Sequence, residues 1–204
     1  MKNSIAREHA APNVDGLLPA RLDKAALRQR LLALRRAACA AAAPCVLERL
    51  ASVLAQREPR CVGAYAPLPG EFDVLPLLAR WLGANPDASA ALPVVTAADA
   101  PLEFHRWTPD SALMPGRYGI PVPVDAHPLQ PDLLLVPCVG YDADGYRLGY
   151  GGGFYDRTLA RGPSRPFTVG LACAATRQAH LPREPHDLPL DLILSEAADG
   201  AAHR

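Results

Sequence analysis

A single three-layer α/β domain with a mainly parallel or mixed central sheet is the fold class this sequence predicts. Three observations predict it. Strand-like and helix-like segments alternate along the chain, which in one domain favours a parallel sheet covered by helices. The run Asp132–Pro137 (DLLLVP) is continuously apolar between turn residues, as a strand buried on both faces is. It feeds a glycine-rich stretch, Gly145–Gly153, which opens a further helix. In open α/β sheets that junction is where ligands collect.

Residues 1–20 read as a flexible leader, 21–197 as the domain and 198–204 as a tail. Asp23 is placed to cap a helix that runs to about Ala43, with Leu27, Leu31 and Leu34 as its apolar stripe. Pro44 suits a first helical position and opens a second helix with Leu47, Leu50 and Leu54 inward. A short buried strand follows at Cys61–Tyr65, then a turn at Pro67–Gly70 and a helix from about Asp73 to Leu82. Leu92–Val95 and Leu102–Trp107 read as strands, the second alternating in character. Met114–Pro123 is too rich in proline and glycine for regular structure and is expected as a loop. Past the glycine-rich stretch come a helix from about Phe154 to Arg161 and strands at Phe167–Cys173 and Leu190–Leu194. No internal repeat or linker divides the chain.

Composition narrows the function classes. Half of the 204 residues are hydrophobic, and 21 basic residues balance 21 acidic ones. A protein that grips nucleic-acid backbone carries a basic excess or stripe, and none is present. The five cysteines are scattered and never spaced as CxxC, against a disulfide framework or thiolate zinc site and in keeping with a reducing compartment. The first twenty residues mix charges without the apolar centre of a signal peptide, and no run approaches the length needed to cross a bilayer. Cytoplasmic placement is expected, with no nucleic-acid or membrane partner. The chain is expected as a monomer, with a weak dimer as the alternative. Lysine is scarce: only Lys2 and Lys24 stand among the 21 basic residues. Lys24 thus marks a place where a compact ammonium suits better than a planar guanidinium.

The segment Asp132–Arg157 (DLLLVPCVGYDADGYRLGYGGGFYDR) is the most informative. Glycines after a buried strand let backbone N–H groups approach phosphate oxygens, and the following helix N-terminus favours anions. Arg147, just before the glycines, could pair with a phosphate. The Walker pattern is excluded because no lysine lies in this half of the chain, and the dinucleotide fingerprint fails at Phe154. From the residues alone a phosphate cradle and a tight turn both remain open.

RLGYGGGFYDR (Arg147–Arg157) resembles the signature of 5-formyltetrahydrofolate cyclo-ligases, preceded as in that family by Val136-Pro137 and Asp142. Three further family features follow in order: Lys24 and Arg28 as a K-x-x-x-R pair, Tyr65–Glu71 as Y-x-P-x-x-G-E, and Tyr118–Pro123 as Y-G-I-P-x-P. The closing HDLPLDLILSE is similar to the family's last strand, and the resemblance spans about residues 22–196. It departs from the pattern at Phe154, where Tyr is common, and at Ser195, where Thr is usual.

The resemblance implies a Rossmann-like, NagB/RpiA-like architecture and an enzyme that uses MgATP to convert 5-formyltetrahydrofolate to 5,10-methenyltetrahydrofolate. It implies Lys24, Arg28 and Arg147 as the catalytic cations. ATP would be held by Lys24, Ala25, Ala26, Leu27 and Arg28 and by Arg147, Leu148, Gly149, Tyr150, Gly151, Gly152, Gly153, Phe154 and Tyr155. The folate would meet Ala66, Glu71, Tyr118, Tyr150, Gly151, Gly152, Gly153 and Phe154. Mg²⁺ would take Asp156 and Asp191, with Asp187 as the fallback for Asp191. Plainer roles stand beside these: a solvated helix face for Lys24 and Arg28, a helix-start charge for Glu71 and Asp156, a strand-edge charge for Asp191, and a loop anchor for Tyr118. The implied reaction transfers the γ-phosphoryl group to the formyl oxygen, after which folate N10 attacks the formyl carbon and phosphate leaves. Such chemistry needs positioning and charge neutralisation rather than a protein nucleophile. A sugar-phosphate isomerase or acyl-transfer relative on a similar scaffold, and a folate-binding module without turnover, are the rival readings.

Overall fold

The computed structural model describes residues 24–161 and 165–197. The expected leader, the Asp23 cap and the tail lie outside the described residues. The described chain begins with α1 (Lys24–Arg57), followed by β1 (Cys61–Gly63), α2 (Leu75–Ala84), β2 (Ser89–Val94) and β3 (Glu103–Trp107). Short strands β4 (Leu113–Pro115), β5 (Pro121–Pro123) and β6 (Pro128–Leu129) lead to β7 (Leu133–Pro137). A hairpin, β8 (Gly140–Tyr141) and β9 (Arg147–Leu148), precedes α3 (Phe154–Leu159), β10 (Phe167–Leu171) and β11 (Leu192–Leu194).

Seven strands form the central sheet in the order β11-β10-β7-β1-β2-β3-β6. The first five run parallel, and β3 and β6 add an antiparallel edge. One face packs against α1 and α2 through Val46, Leu50, Leu54, Leu77 and Leu78. The other is covered by α3 and the segment before β11, through Leu159 and Leu190. This is the expected three-layer, mainly parallel architecture. β7 is buried on both faces, as its unbroken apolar run requires.

Four expectations are corrected. α1 is one helix of 34 residues that runs through Pro44, not two helices broken there. An internal proline loses one hydrogen bond and crowds the preceding turn, at a cost of about 3 kcal/mol. The buried stripe Leu27–Leu31–Arg35–Cys39–Ala42–Val46–Leu50–Leu54 continues across it and offsets that cost. The same stripe leaves Leu34 on the solvent side, 42 % exposed, and puts Arg35 inward. The helix is also long and apolar enough, by length and composition, to cross a membrane, contrary to the reading of the sequence. Here its apolar stripe lies on the sheet. Finally, Leu113–Pro115 and Pro121–Pro123 pair as a small antiparallel hairpin where a loop was expected. Its bend at Arg117–Gly119 places Tyr118 in the left-handed region at φ 59°.

Asp142 of the VPxxxxD segment organises the β8–β9 hairpin. It is fully buried. Its Oδ1 accepts from the N–H groups of Asp144 and Tyr146, both at 3.1 Å. Its Oδ2 accepts from Leu181 N–H and from Arg183, again at 3.1 Å. Asp142→Ala would strand the buried Leu181 N–H and release three more accessible donors, so we predict a loss of about 2 kcal/mol in urea unfolding. An unchanged midpoint would contradict this role.

Candidate functional site at the carboxyl edge of the sheet

Through Tyr150 the glycine-rich segment reaches Glu71, in the turn that follows β1, and α1 reaches the same segment through Arg28. Arg28, one turn after Lys24, donates from Nε to the carbonyl of Gly149 at 2.7 Å. Its guanidinium then lies against Gly151, where an added Cβ would sit 3.2 Å from Nη2. Gly151 and Gly153 have φ of +94° and +66°, values that L side chains rarely adopt, so glycine is required at both. Gly153 caps α3.

Lys24 pairs with Asp187 at 2.9 Å and with Glu184 at 3.5 Å. Burial pushes the Asp187 carboxyl up, but the hydrogen bonds from Lys24 and from Glu184 N–H outweigh it and hold the group below its ordinary value. Glu184, His186 and Asp187 keep one ligand-type atom each within 4.8 Å of one another. Ala25 and Ala26 are exposed on the first turn, whereas Leu27 and Leu148 are buried together with Leu31, Val139 and Leu181. Those two leucine side chains hold α1 to the hairpin and are not presented to a ligand.

Arg147 turns inward. Its side chain is 6 % exposed and donates to Asp156 Oδ1 at 2.9 Å and to the Leu188 carbonyl at 3.0 Å. Asp156 Oδ1 also accepts from Leu188 N–H at 3.3 Å. Asp191 is not brought to this cluster. It precedes β11 at the amino end of the parallel strands, and its buried Oδ2 accepts from Thr168 N–H at 2.9 Å and Thr168 Oγ1 at 2.7 Å. Tyr155 packs into the second core, and burial pushes its hydroxyl pKa up.

The folate-facing candidates do converge. Glu71 follows the turn after β1, and its side chain is only 2 % exposed. It accepts from Leu68 N–H and from the Tyr150 hydroxyl, each at 2.8 Å, and faces Arg35 Nη1 at 3.6 Å. Burial drives its pKa up, against the opposing pull of the Leu68 N–H, Tyr150 and Arg35. Tyr150 is pushed up to about 12, first by burial and then by the Glu71 charge. Ala66 is buried close by in sequence, and Tyr118, 66 % exposed, tilts toward Phe154 with ring centroids 6.1 Å apart.

Arg35 is the member of this group that sequence reasoning missed. Next to Arg36 it looks like half of a solvated pair. The spacing Leu27–Leu31–Arg35–Cys39 was the available signal, because steps of four keep position 35 on the apolar face.

A sheet of this topology, with a glycine segment clamped by a helix arginine, defines a small three-layer α/β protein of the kind whose ligands collect at the carboxyl ends of the strands. The profile of the 5-formyltetrahydrofolate cyclo-ligase family matches residues 20–196. The 5-formyltetrahydrofolate cyclo-ligase of Haemophilus influenzae is 33% identical over 157 residues, which is 73% of this chain and 82% of that one. The Escherichia coli K12 protein of the same name is 34% identical over 141 residues, or 66% and 76% of the two chains. The NMR structure of Aquifex aeolicus 5,10-methenyltetrahydrofolate synthetase superimposes with a TM-score of 0.74 at 29% identity, covering 89% of this chain and 93% of that one. The chain belongs to the 5-formyltetrahydrofolate cyclo-ligase family. Its activity is the conversion of 5-formyltetrahydrofolate to 5,10-methenyltetrahydrofolate, and the family is ATP-dependent.

The Asp187 contact gives a pH test. A carboxyl held below its ordinary value near 3.8 adds stability that is fully present above that pH and is lost as pH falls through the lower, folded value. The stability gap between the parent protein and Asp187→Asn should therefore be largest at neutral pH and close on acidification below about pH 4. A gap independent of pH in urea unfolding would contradict the Lys24 pairing.

Proposed function

We propose that the cleft between the start of α1 and Gly149–Gly153 holds the triphosphate of ATP, and that Glu71 and its neighbours hold the folate. The observation that carries this reading is the 2.7 Å bond from Arg28 Nε to the Gly149 carbonyl. It puts a helix cation against a backbone that glycine keeps open. Lys24 and Arg28 would then neutralise phosphate charge, Lys24 exchanging Asp187 for a phosphate oxygen. The Gly149–Gly153 amides would supply donors to the phosphates. Arg147 would act through Asp156, whose position it sets, with its own guanidinium held in the interior.

On the folate side, an ionised Glu71 offers only acceptors and so suits the donor edge of the pterin. Tyr118 and Phe154 would flank the ring system. With both substrates in place, the formyl oxygen attacks the γ-phosphorus and ADP leaves. N10 then attacks the formyl carbon, the carbon–oxygen bond to the phosphorylated oxygen breaks, and N10 loses its proton. Methenyl product, ADP and phosphate result. The substrate supplies the nucleophile, and the protein aligns it and excludes water.

Mg²⁺ fits this arrangement through Asp156, whose Oδ2 takes no hydrogen bond among the described residues. Asp187 adjoins Leu188, whose N–H meets Asp156, and is better placed as a second carboxylate than the Thr168-bound Asp191. When bound, the ion would neutralise phosphate charge. The five cysteines, all free thiols, support a reducing, cytoplasmic setting, and a monomer is the proposed working unit.

The experiment is a coupled assay of ADP release and methenyl absorbance. Purified protein should release ADP only with 5-formyltetrahydrofolate and Mg²⁺ present. Gly151→Ala, which forces a side chain onto Arg28 at positive φ, should raise KM for ATP at least about tenfold while KM for folate changes less. Equal changes in both constants would count against a triphosphate at this turn.

A further inference from the structure

Arg35 is an expensive residue to keep where it is. Its side chain is 2 % exposed on the stripe that packs α1 onto the sheet. Its Nε is buried without a hydrogen-bond partner in the structure. A buried N–H left unsatisfied is destabilising, and a buried ion pair often stabilises no better than apolar residues of the same volume. Packing alone therefore gives poor grounds for an arginine here.

What the guanidinium does is hold the folate side of the site together. Nη1 donates to the Cys138 carbonyl at 3.3 Å, just past the carboxyl end of β7. Nη2 donates to the Tyr150 hydroxyl oxygen, and the Tyr150 hydroxyl in turn donates a hydrogen bond to Glu71 Oε1. Glu71 in turn faces Nη1. The guanidinium also lies 5.4 Å from the centre of the Tyr150 ring. One side chain thus ties α1, the end of β7, the glycine segment and the Glu71 turn into a single chain of polar contacts.

We propose that Arg35 is a positioning residue for the folate: it orients Glu71 and keeps it an ionised acceptor, and it holds the Tyr150 hydroxyl where a folate N–H would otherwise bind Glu71. The proposal rests on the reading of Glu71 as the folate carboxylate. On folate entry, Glu71 Oε1 exchanges the Tyr150 proton for a pterin N–H. The Tyr150 oxygen stays on Arg35, so the glycine segment keeps its anchor while the donor is exchanged.

Arg35 is the cation that pairs with Glu71, and Arg36, also on α1, packs against the neighbouring Gly70. The other titratable groups that influence Glu71 among the described residues are Tyr65 from the end of β1, Tyr150, Tyr155 from α3, Cys39 from α1 and Cys138 after β7. Each of these has its pKa pushed up by burial and is neutral at ordinary pH. Removing the Arg35 charge takes away the paired cation that opposes burial, so the Glu71 carboxyl must titrate at higher pH.

The test compares Arg35→Met, Arg35→Lys and Glu71→Gln in the full chain, by steady-state kinetics from pH 5 to 9 and by thermal unfolding. Arg35→Met should raise KM for 5-formyltetrahydrofolate about tenfold or more, with KM for ATP within about twofold. The acid limb of kcat/KM for folate should move toward neutral pH, because affinity is lost as pH falls through the raised Glu71 value. Arg35→Lys keeps the charge without the fork, so it should raise KM while leaving the limb in place. That variant also carries the test if Arg35→Met does not fold. A folded Arg35→Met with an unmoved limb, or an Arg35→Lys indistinguishable from the parent, overturns the proposal. Glu71→Gln separates the two claims. A raised folate KM there beside an unaffected Arg35→Met defeats the role of Arg35 alone, whereas an unchanged folate KM in Glu71→Gln defeats the underlying reading of the site.

Discussion

The bond between Arg28 and the Gly149 carbonyl depends on the rotational phase of α1, and so does nearly everything else at the carboxyl edge. Leu50 and Leu54 press one face of the helix onto the sheet, and Leu27 and Leu31 press the same face onto the β8–β9 hairpin. That contact leaves no freedom to rotate, and a rotation of one residue, about 100°, would carry the helix cations away from the glycines. With the phase set, Lys24 meets the 184–187 segment, Arg28 meets the glycine turn and Arg35 meets Glu71 and Tyr150. Three cations at three depths come from one helix. Tolerance of Pro44 within it follows from the same constraint, since breaking α1 there would uncouple the packed carboxyl half from the functional amino half.

Electrostatics differ sharply along this row. Near the surface, Lys24 shares its charge with partly exposed acids, so its pairing is weak enough to exchange for another anion. In the interior, Arg35 and Glu71 are each 2 % exposed, and neither can lose the other cheaply. The shallow pair suits a contact that must let go when substrate arrives. The deep pair suits one that must not move. Between them lies Tyr150, whose hydroxyl connects the glycine segment to the deep pair without a charge of its own.

Much of the fold was legible because the chain's patterns are plain: DLLLVP could hardly be other than a doubly buried strand, and alternation marked β3. The glycine stretch and the Lys24–Arg28 pair were legible as well, and Arg28 lies against that stretch. Other features were hidden for physical reasons. Pro44 gives a local signal for a helix start, and only the continuous packing of α1 overrides it. The prolines around Met114–Pro123 mask a hairpin whose pairing is short enough to spare their missing N–H groups. Asp191 carries the same letter as a metal ligand would, but its partner Thr168 is brought to it by β10 pairing with β11, a contact between residues 23 apart. Arg35 was obscured by residue type. An arginine on an apolar stripe is rarely buried, so its type speaks against the position its spacing gives it.

The central claim is that one pocket, built from the start of α1 and the Gly149–Gly153 turn, receives a triphosphate. A crystal structure with Mg²⁺ and a non-transferable ATP analogue tests it most directly. The account predicts phosphate oxygens within hydrogen-bond reach of the turn's amides and of Lys24 and Arg28, with Lys24 released from Asp187. A nucleotide bound elsewhere, with Lys24 still on Asp187 and the turn empty, would contradict it.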